Sequence, residues 1–278
     1  MLTPAQCDRI DVVLVSPRNP LNIGAAARAM ANFGFQRLSI VAPFAQNWME
    51  AKSAVGAPDL LRDAKVYSTL AEAVAHCTLV LGTGSLDRRR PEQTILGLPE
   101  AAAQTRKALA SSEEWGAPGL DSETGVSLNP QTPGAHHIAL VFGSEKHGLT
   151  SDDLSWCHAL IVIETHDDQP SMNLGQAVAV CLYEISRTPE SSAQPSQTLP
   201  DLARPISSAG SAQLDRLAAL VEETMEAVNY STRGMRSANG QALRVLLRRL
   251  MPNEPDLRRM MGLFRRILWQ LGRGSGKS

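Results

Sequence analysis

No run of this sequence approaches the ~18 consecutive apolar residues that a membrane-spanning helix needs. The first ten residues, MLTPAQCDRI, lack the basic-then-apolar layout of a secretory signal. The expectation is a cytoplasmic protein with no membrane partner. Cysteine is scarce: Cys7, Cys77, Cys157 and Cys181 stand far apart and form no CxxC pair. That argues against a disulfide framework and against a zinc module. The six histidines do not cluster with the cysteines, so no metal is expected. A net excess of one charge is also missing, the formal value being −1, but its distribution is uneven. Residues 231–278 carry 11 Lys+Arg against Glu254 and Asp256, a balance of +9, and the remainder carries 16 basic and 26 acidic residues, a balance of −10. A basic tail on an acidic body points to a polyanionic partner, or more plainly to a solvated helix face.

What is present is an ordinary globular composition, 43% hydrophobic and 20% charged over 278 residues, enough for one large domain with an appendage. Asp11–Ser16 (DVVLVS) reads as a short strand broken at Pro17–Pro20. A helix is expected from about Asn22 to Phe33, stopped by Gly34. Further strand-like runs are Leu38–Ala42, Thr78–Leu81, His137–Phe142 and Ala159–Ile163. Runs this continuously apolar predict a parallel sheet buried on both faces by helices. In the last helix of this part, Leu174, Ala177, Val178, Cys181, Leu182 and Ile185 follow the spacing of one buried stripe. An α/β domain is expected over residues 1–188. Ser111–Gly134 reads as a surface insertion, residues 189–211 as a Pro- and Ser-rich linker. Helices near Ala212–Asn229, Asn239–Leu250 and Asp256–Leu271 make residues 212–278 a small basic α-helical extension.

Chemistry concentrates where strands run into loops. In VLVSPRNPLNIGAAARAMANFGF (13–35), Ile23, Ala26, Met30 and Phe33 face the sheet. Gly24, Arg28 and Asn32 lie on another face, with Asn22 at the start. A guanidinium at Arg28 offers a rigid fork of donors suited to phosphate oxygens. In ALVFGSEKHGLT (139–150) a strand ends in Gly143, and a loop with Gly148 leads to a capping box at Thr150–Asp153. In IVIETHDDQPSMNLGQAV (161–178), Ser171 and Asn173 stand at a helix N-terminus, where free N–H groups and the dipole favour electron-rich groups. A fourth strand ends in LVLGTGSLDRRRP (79–91), placing Thr83, Gly84 and Ser85 beside Arg88, Arg89 and Arg90. Each segment alone also has a plain structural explanation: a solvated arginine, a turn glycine, a helix cap. Two apparent phosphate signatures fail. Gly82-Thr83-Gly84 has Asp87 where a third glycine belongs, and Gly276-Lys277-Ser278 has Leu271 at the first glycine position.

In order and spacing, NIGAAARAM, VFGSEKHGLT and PSMNLGQAV resemble the three motifs of the SpoU branch of the SPOUT superfamily, which methylates RNA ribose 2′-hydroxyls. Within that branch the resemblance is to the TrmJ-type tRNA (cytidine/uridine) methyltransferases, which carry an α-helical C-terminal extension and act on nucleotide 32 of the anticodon loop. The resemblance implies an α/β trefoil-knotted fold, a homodimer, tRNA as partner and S-adenosylmethionine as cofactor. It places Thr83, Gly84, Ser85, Gly143, Ile163, Ser171, Met172 and Asn173 around the cofactor. It makes Arg28, Ser171 and Asn173 catalytic, with Arg18, Asn22, Arg28, Arg88 and Arg90 toward the RNA. Arginine side chains hold their proton to beyond about pH 12, so a phosphate clamp that also stabilises alkoxide charge suits Arg28 better than a general base. The 111–134 insertion is long for the group, and Leu86 and Asp87 interrupt a stretch where relatives place another arginine. The same motifs serve ribosomal RNA methyltransferases, and a non-catalytic RNA-binding protein can share the fold.

Overall fold

A computed structural model describes residues 1–44, 48–50, 54, 56–84, 91–110, 137–166, 168–187, 209–230 and 235–274. The expected insertion at Ser111–Gly134, nearly all of the 189–211 linker, and Ser85, Arg88 and Arg90 lie outside the described residues. In chain order the elements are α1 (Pro4–Cys7), β1 (Ile10–Val15), α2 (Pro20–Phe33), β2 (Arg37–Val41), α3 (Pro58–Arg62), β3 (Lys65–Tyr67), α4 (Leu70–Val74), β4 (Leu79–Thr83) and β5 (Thr94–Gly97). They continue with α5 (Leu98–Ala110), β6 (Ile138–Phe142), α6 (Ser151–Ser155), β7 (Ala159–Val162), α7 (Leu174–Ser186), α8 (Ser211–Ala227), α9 (Arg236–Leu250) and α10 (Glu254–Gly274).

Among the described residues seven strands form one parallel sheet in the order β3-β2-β1-β6-β4-β7-β5. β6 arrives late in the sequence yet lies between β1 and β4, with Leu140 level with Val12 on one side and Leu81 on the other. All residues of β1 and β6 are buried. Their alternate side chains serve two cores. Val12, Leu14 and Leu140 pack with Ile23, Met30, Val178 and Leu182 of α2 and α7, while Val13, Val15 and Val141 pack with Val74 and Leu149 on the other face. This division explains why the strands read as continuous apolar runs.

Local chemistry sets the boundaries. α2 starts at Pro20, two residues before the expected start, because Asn19 Oδ1 accepts the Leu21 N–H at 2.9 Å and Pro20 supplies a preset φ at the first helical position. Gly34 ends it in the left-handed region at φ 79°. β3 and β5 are not expected from the sequence: both are short and lie at the sheet edges, and Lys65, Val66 and Ile95 are exposed, so neither needs an apolar run.

The three C-terminal helices share a small core of Leu214, Leu217, Leu247 and Leu257 and rest against the sheet-bearing part. The Ser211 and Ala212 N–H groups donate to the carbonyls of Cys77 and Ala75 at 2.9 and 3.1 Å. From α9, Arg244 pairs with Asp152 and donates to Ser155 Oγ, and Arg248 donates to the Trp156 carbonyl and to Asp215. Both guanidinium groups lie over the Trp156 ring, at 4.7 and 4.9 Å.

Beneath this contact His158 is buried, and its Nδ1 accepts the Val80 N–H at 3.0 Å. Burial, aided by the charge of Arg248, pushes its pKa down to about 3. The folded state therefore holds this imidazole neutral while the unfolded chain takes up a proton below about pH 6.5. Stability from this group is complete above that pH and falls as the pH drops toward the folded value. Urea denaturation is expected to show a loss of roughly 2 kcal/mol between pH 6.5 and 5, at 1.36 kcal/mol per unit. His158→Asn, with an amide oxygen in place of Nδ1, is expected to flatten that slope; an equal slope in the variant assigns the acid sensitivity elsewhere.

Candidate functional site

The carboxyl ends of β4, β6 and β7 converge, as in other open parallel sheets with ligand sites. Around them Thr83–Gly84, the Gly143–Leu149 loop and the Pro170–Met172 segment wall a cavity of about 330 Å³, within the range of small-molecule sites. Thr83 Oγ1 donates to the Val141 carbonyl at 3.1 Å and the Gly84 N–H to that of Ile161 at 3.2 Å, so both strand ends are fixed. The 143–149 loop folds on itself, Gly148 N–H donating to the Ser144 carbonyl at 2.8 Å. It passes so close to its own start that a Cβ on Gly143 would collide with the backbone of Gly148 and Leu149. Thr150 then caps α6 through reciprocal bonds with Asp153 at 2.8 and 3.1 Å, the capping box expected at this position.

Three segments distant in sequence are stitched together at the mouth of this cavity. Glu145 accepts the N–H groups of Arg18 and Asn19 at 2.9 and 3.0 Å and the Asn22 carboxamide at 3.0 Å. Asn22 Oδ1 in turn accepts from Asn173 Nδ2 at 2.9 Å, and Asn173 Oδ1 caps α7 by accepting the Gly175 N–H at 2.9 Å. Partial burial pushes the Glu145 carboxyl up, but the bonds from Asn22 and the backbone amides outweigh this and hold it below its ordinary value. The carboxylate's contribution is therefore present above the unfolded pKa and lost only as pH falls through the lower folded one. Behind this chain α2 and α7 touch closely enough that a Cβ on Gly175 would press on Ala25.

Of the residues expected around a cofactor, Thr83, Gly84, Gly143, Ile163, Ser171 and Met172 line the cavity. Asn173 stands between the wall residues Met172 and Leu174, with its carboxamide shared between Asn22 and the helix cap. Among the residues expected to face RNA, Arg18 and Asn22 flank Glu145. Arg28 is exposed on α2 and absent from the wall, and its guanidinium has no hydrogen-bond or ion-pair partner among the described residues. Glu145, inside VFGSEKHGLT, is the residue that sequence reasoning missed; its only signal is a carboxylate just past a strand end.

The structure also gathers groups that lie far apart in the chain. At the amino ends of the strands, opposite the cavity, His76 and His137 approach the buried Asp11 carboxylate, at 3.0 and 3.9 Å. Their ligating atoms are close enough together to hold a metal ion. Arg37 already stands there, 3.0 Å from Asp11 Oδ1 and 3.2 Å from His76 Nε2, and supplies the positive charge that the carboxylate needs.

Residues 9–183 match the profile of a family described as the SpoU rRNA Methylase family. The chain is 37% identical over 179 residues to the tRNA (cytidine/uridine/adenosine-2′-O-)-methyltransferase TrmJ of Pseudomonas aeruginosa, a match covering 64% of this chain and 60% of that protein. It is 30% identical over 263 residues to the tRNA (cytidine/uridine-2′-O-)-methyltransferase TrmJ of Klebsiella pneumoniae, covering 93% of this chain and 96% of that one. Among solved structures, TrmJ from Z. mobilis superposes with a TM-score of 0.72 at 25% identity, over 92% of this chain and 98% of that chain.

Proposed function

Because this chain belongs to the SpoU rRNA Methylase family and is a methyltransferase, we propose that it transfers the methyl group of S-adenosylmethionine to a ribose 2′-hydroxyl of tRNA, at cytidine and/or uridine 32 of the anticodon loop, as a homodimer. The observation that carries this reading is the hydrogen-bonded chain Glu145–Asn22–Asn173, which joins all three motif segments at the mouth of one cavity. The choice of tRNA over ribosomal RNA is supported by the Klebsiella enzyme, whose similarity runs through the basic extension as well. The choice of nucleotide rests on the resemblance of the motifs. The position of β6 between β1 and β4, with α7 packed on α2, supports a knotted path for the last third of the sheet-bearing part.

The cavity suits the cofactor. Leu160, Ile163, Met172 and Leu174 offer an apolar wall for a flat base, and the Gly84 and Gly143 strand ends bring backbone close to the ligand. S-adenosylmethionine, when bound, supplies a methyl group already activated by its sulfonium, so no metal is required. The residues of this chain position and stabilise. Ser171 presents a hydroxyl on the cavity wall, and Asn173 fixes the start of α7 against α2. Arg28 supplies a cation for the phosphate beside the target ribose and for the charge growing on its oxygen. Since Arg28 is missing from its own chain's cavity wall, its exposure supports a site completed by a second copy.

Mapping 2′-O-methyl groups in tRNA from a strain lacking the gene, with and without the restored enzyme, tests the reading. A methyl group at nucleotide 32 that returns with the enzyme is expected; an unchanged anticodon loop overturns it. The extension adds a second measurement. Arg249, Arg265 and Arg266 are exposed on α9 and α10. Replacing all three by glutamine is expected to lower the salt slope of tRNA binding by about 2, at roughly 0.7–0.9 for each phosphate that is no longer neutralised. An unchanged slope makes the extension a structural element only.

A further inference from the structure

We propose that Arg18 and Phe44 form a stacking platform for an unpaired nucleobase of the substrate RNA, a binding element beyond the three motifs that rests on the RNA-methylating reading above. β1 and β2 are parallel neighbours, with Val15 level with Val41. Each leaves the sheet through a residue other than glycine in the left-handed region, Ser16 at φ 47° and Ala42 at φ 42°. L-residues resist that conformation, and strain of this kind concentrates where a fold must aim its loops. Here the two turns aim one loop at the other. The Phe44 N–H donates to the Pro17 carbonyl at 3.1 Å, and the Arg18 guanidinium carbon comes to rest 4.4 Å from the Phe44 ring centroid.

The pair is built outward. Phe44 is 67% exposed, a large apolar ring that the sheet does not cover, and Arg18 is exposed beside it. It is also tied to the candidate active site, because the Arg18 N–H donates to Glu145 Oε2 at 2.9 Å and Glu145 lines the cavity. A planar cation stacked on an aromatic ring at the rim of a ribose-modifying site has one natural class of ligand. Proteins read single-stranded RNA by stacking splayed bases on aromatic rings and arginine planes, and the cation meets the adjoining phosphate. A paired base offers no free face, so the platform selects a nucleotide in a loop. It holds a base near the ribose to be modified.

The test uses the full-length enzyme, S-adenosylmethionine and a tRNA transcript carrying 2-aminopurine in the anticodon loop next to the target nucleotide. Wild-type enzyme and Phe44→Tyr are expected to quench the fluorophore on binding; Phe44→Ala is expected to leave it unquenched. Phe44→Ala should also raise KM for tRNA about tenfold, the lower part of the range for one stacked base, with kcat and cofactor affinity little changed. Quenching and KM unaltered in Phe44→Ala overturn the platform. If wild-type enzyme methylates no tRNA, the functional reading fails, and quenching of the same fluorophore in a short single-stranded RNA, compared between wild type and Phe44→Ala, still decides the platform separately.

Discussion

Alanine at position 143 is expected to weaken cofactor binding about a hundredfold and leave the sheet folded. The added methyl would meet the backbone of Gly148 and Leu149, and backbone cannot swing aside as a flexible side chain can. The loop would have to open, carrying Glu145 away from the Arg18, Asn19 and Asn22 donors that it holds. Overpacking of this kind typically costs 1–3 kcal/mol, so calorimetry should show a loss of about two orders of magnitude in S-adenosylmethionine affinity. Gly84→Ala is the control. It also lies on the cavity wall, but a Cβ there meets no protein atom within 4 Å, so the loops keep their shape and a smaller loss of affinity than at Gly143 is expected. If Gly143→Ala binds the cofactor normally, the cavity is not its site.

The contrast between these two glycines shows what a sequence can and cannot reveal. Burial that repeats with a helix or strand period is legible. Leu174, Val178, Cys181, Leu182 and Ile185 fall on one stripe and all five are buried, and the apolar runs became the central strands because both faces of β1 and β6 are covered. The edge strands β3 and β5 are not legible, since exposed Lys65, Val66 and Ile95 carry no such pattern. The resemblance places Thr83, Gly143 and Met172 around one ligand, and all three line the cavity. It cannot show that Glu145 reaches Arg18 across 127 positions. Nor can it show that Asn173 divides its carboxamide between a helix cap and Asn22. Bonds across that sequence distance leave no period, and asparagine is as ordinary at a helix start as at a ligand site.

Arg28→Ala is expected to reduce methyl transfer by roughly 10²–10³-fold, the usual result of removing one group aimed at developing charge. Cofactor affinity should stay near wild type, because Arg28 does not line the cavity. Arg28→Lys should recover only part of the rate, since an ammonium keeps the charge but loses the planar fork. Activity undiminished in Arg28→Ala would remove this residue from the chemistry. The same variant decides where the arginine acts. At cofactor concentrations near the wild-type Kd, Arg28→Ala and Gly143→Ala homodimers each keep about a hundredth of the activity on this account, one for want of a cation and the other for want of cofactor. In a mixed dimer, a cross-subunit arrangement unites the intact cavity of the first subunit with the intact Arg28 of the second. One site in two then works, and roughly half the wild-type activity per mixed dimer returns. If Arg28 serves the cavity of its own chain, every intact cavity lacks its arginine and the mixture stays at that low level, which would overturn the proposed exchange across the dimer.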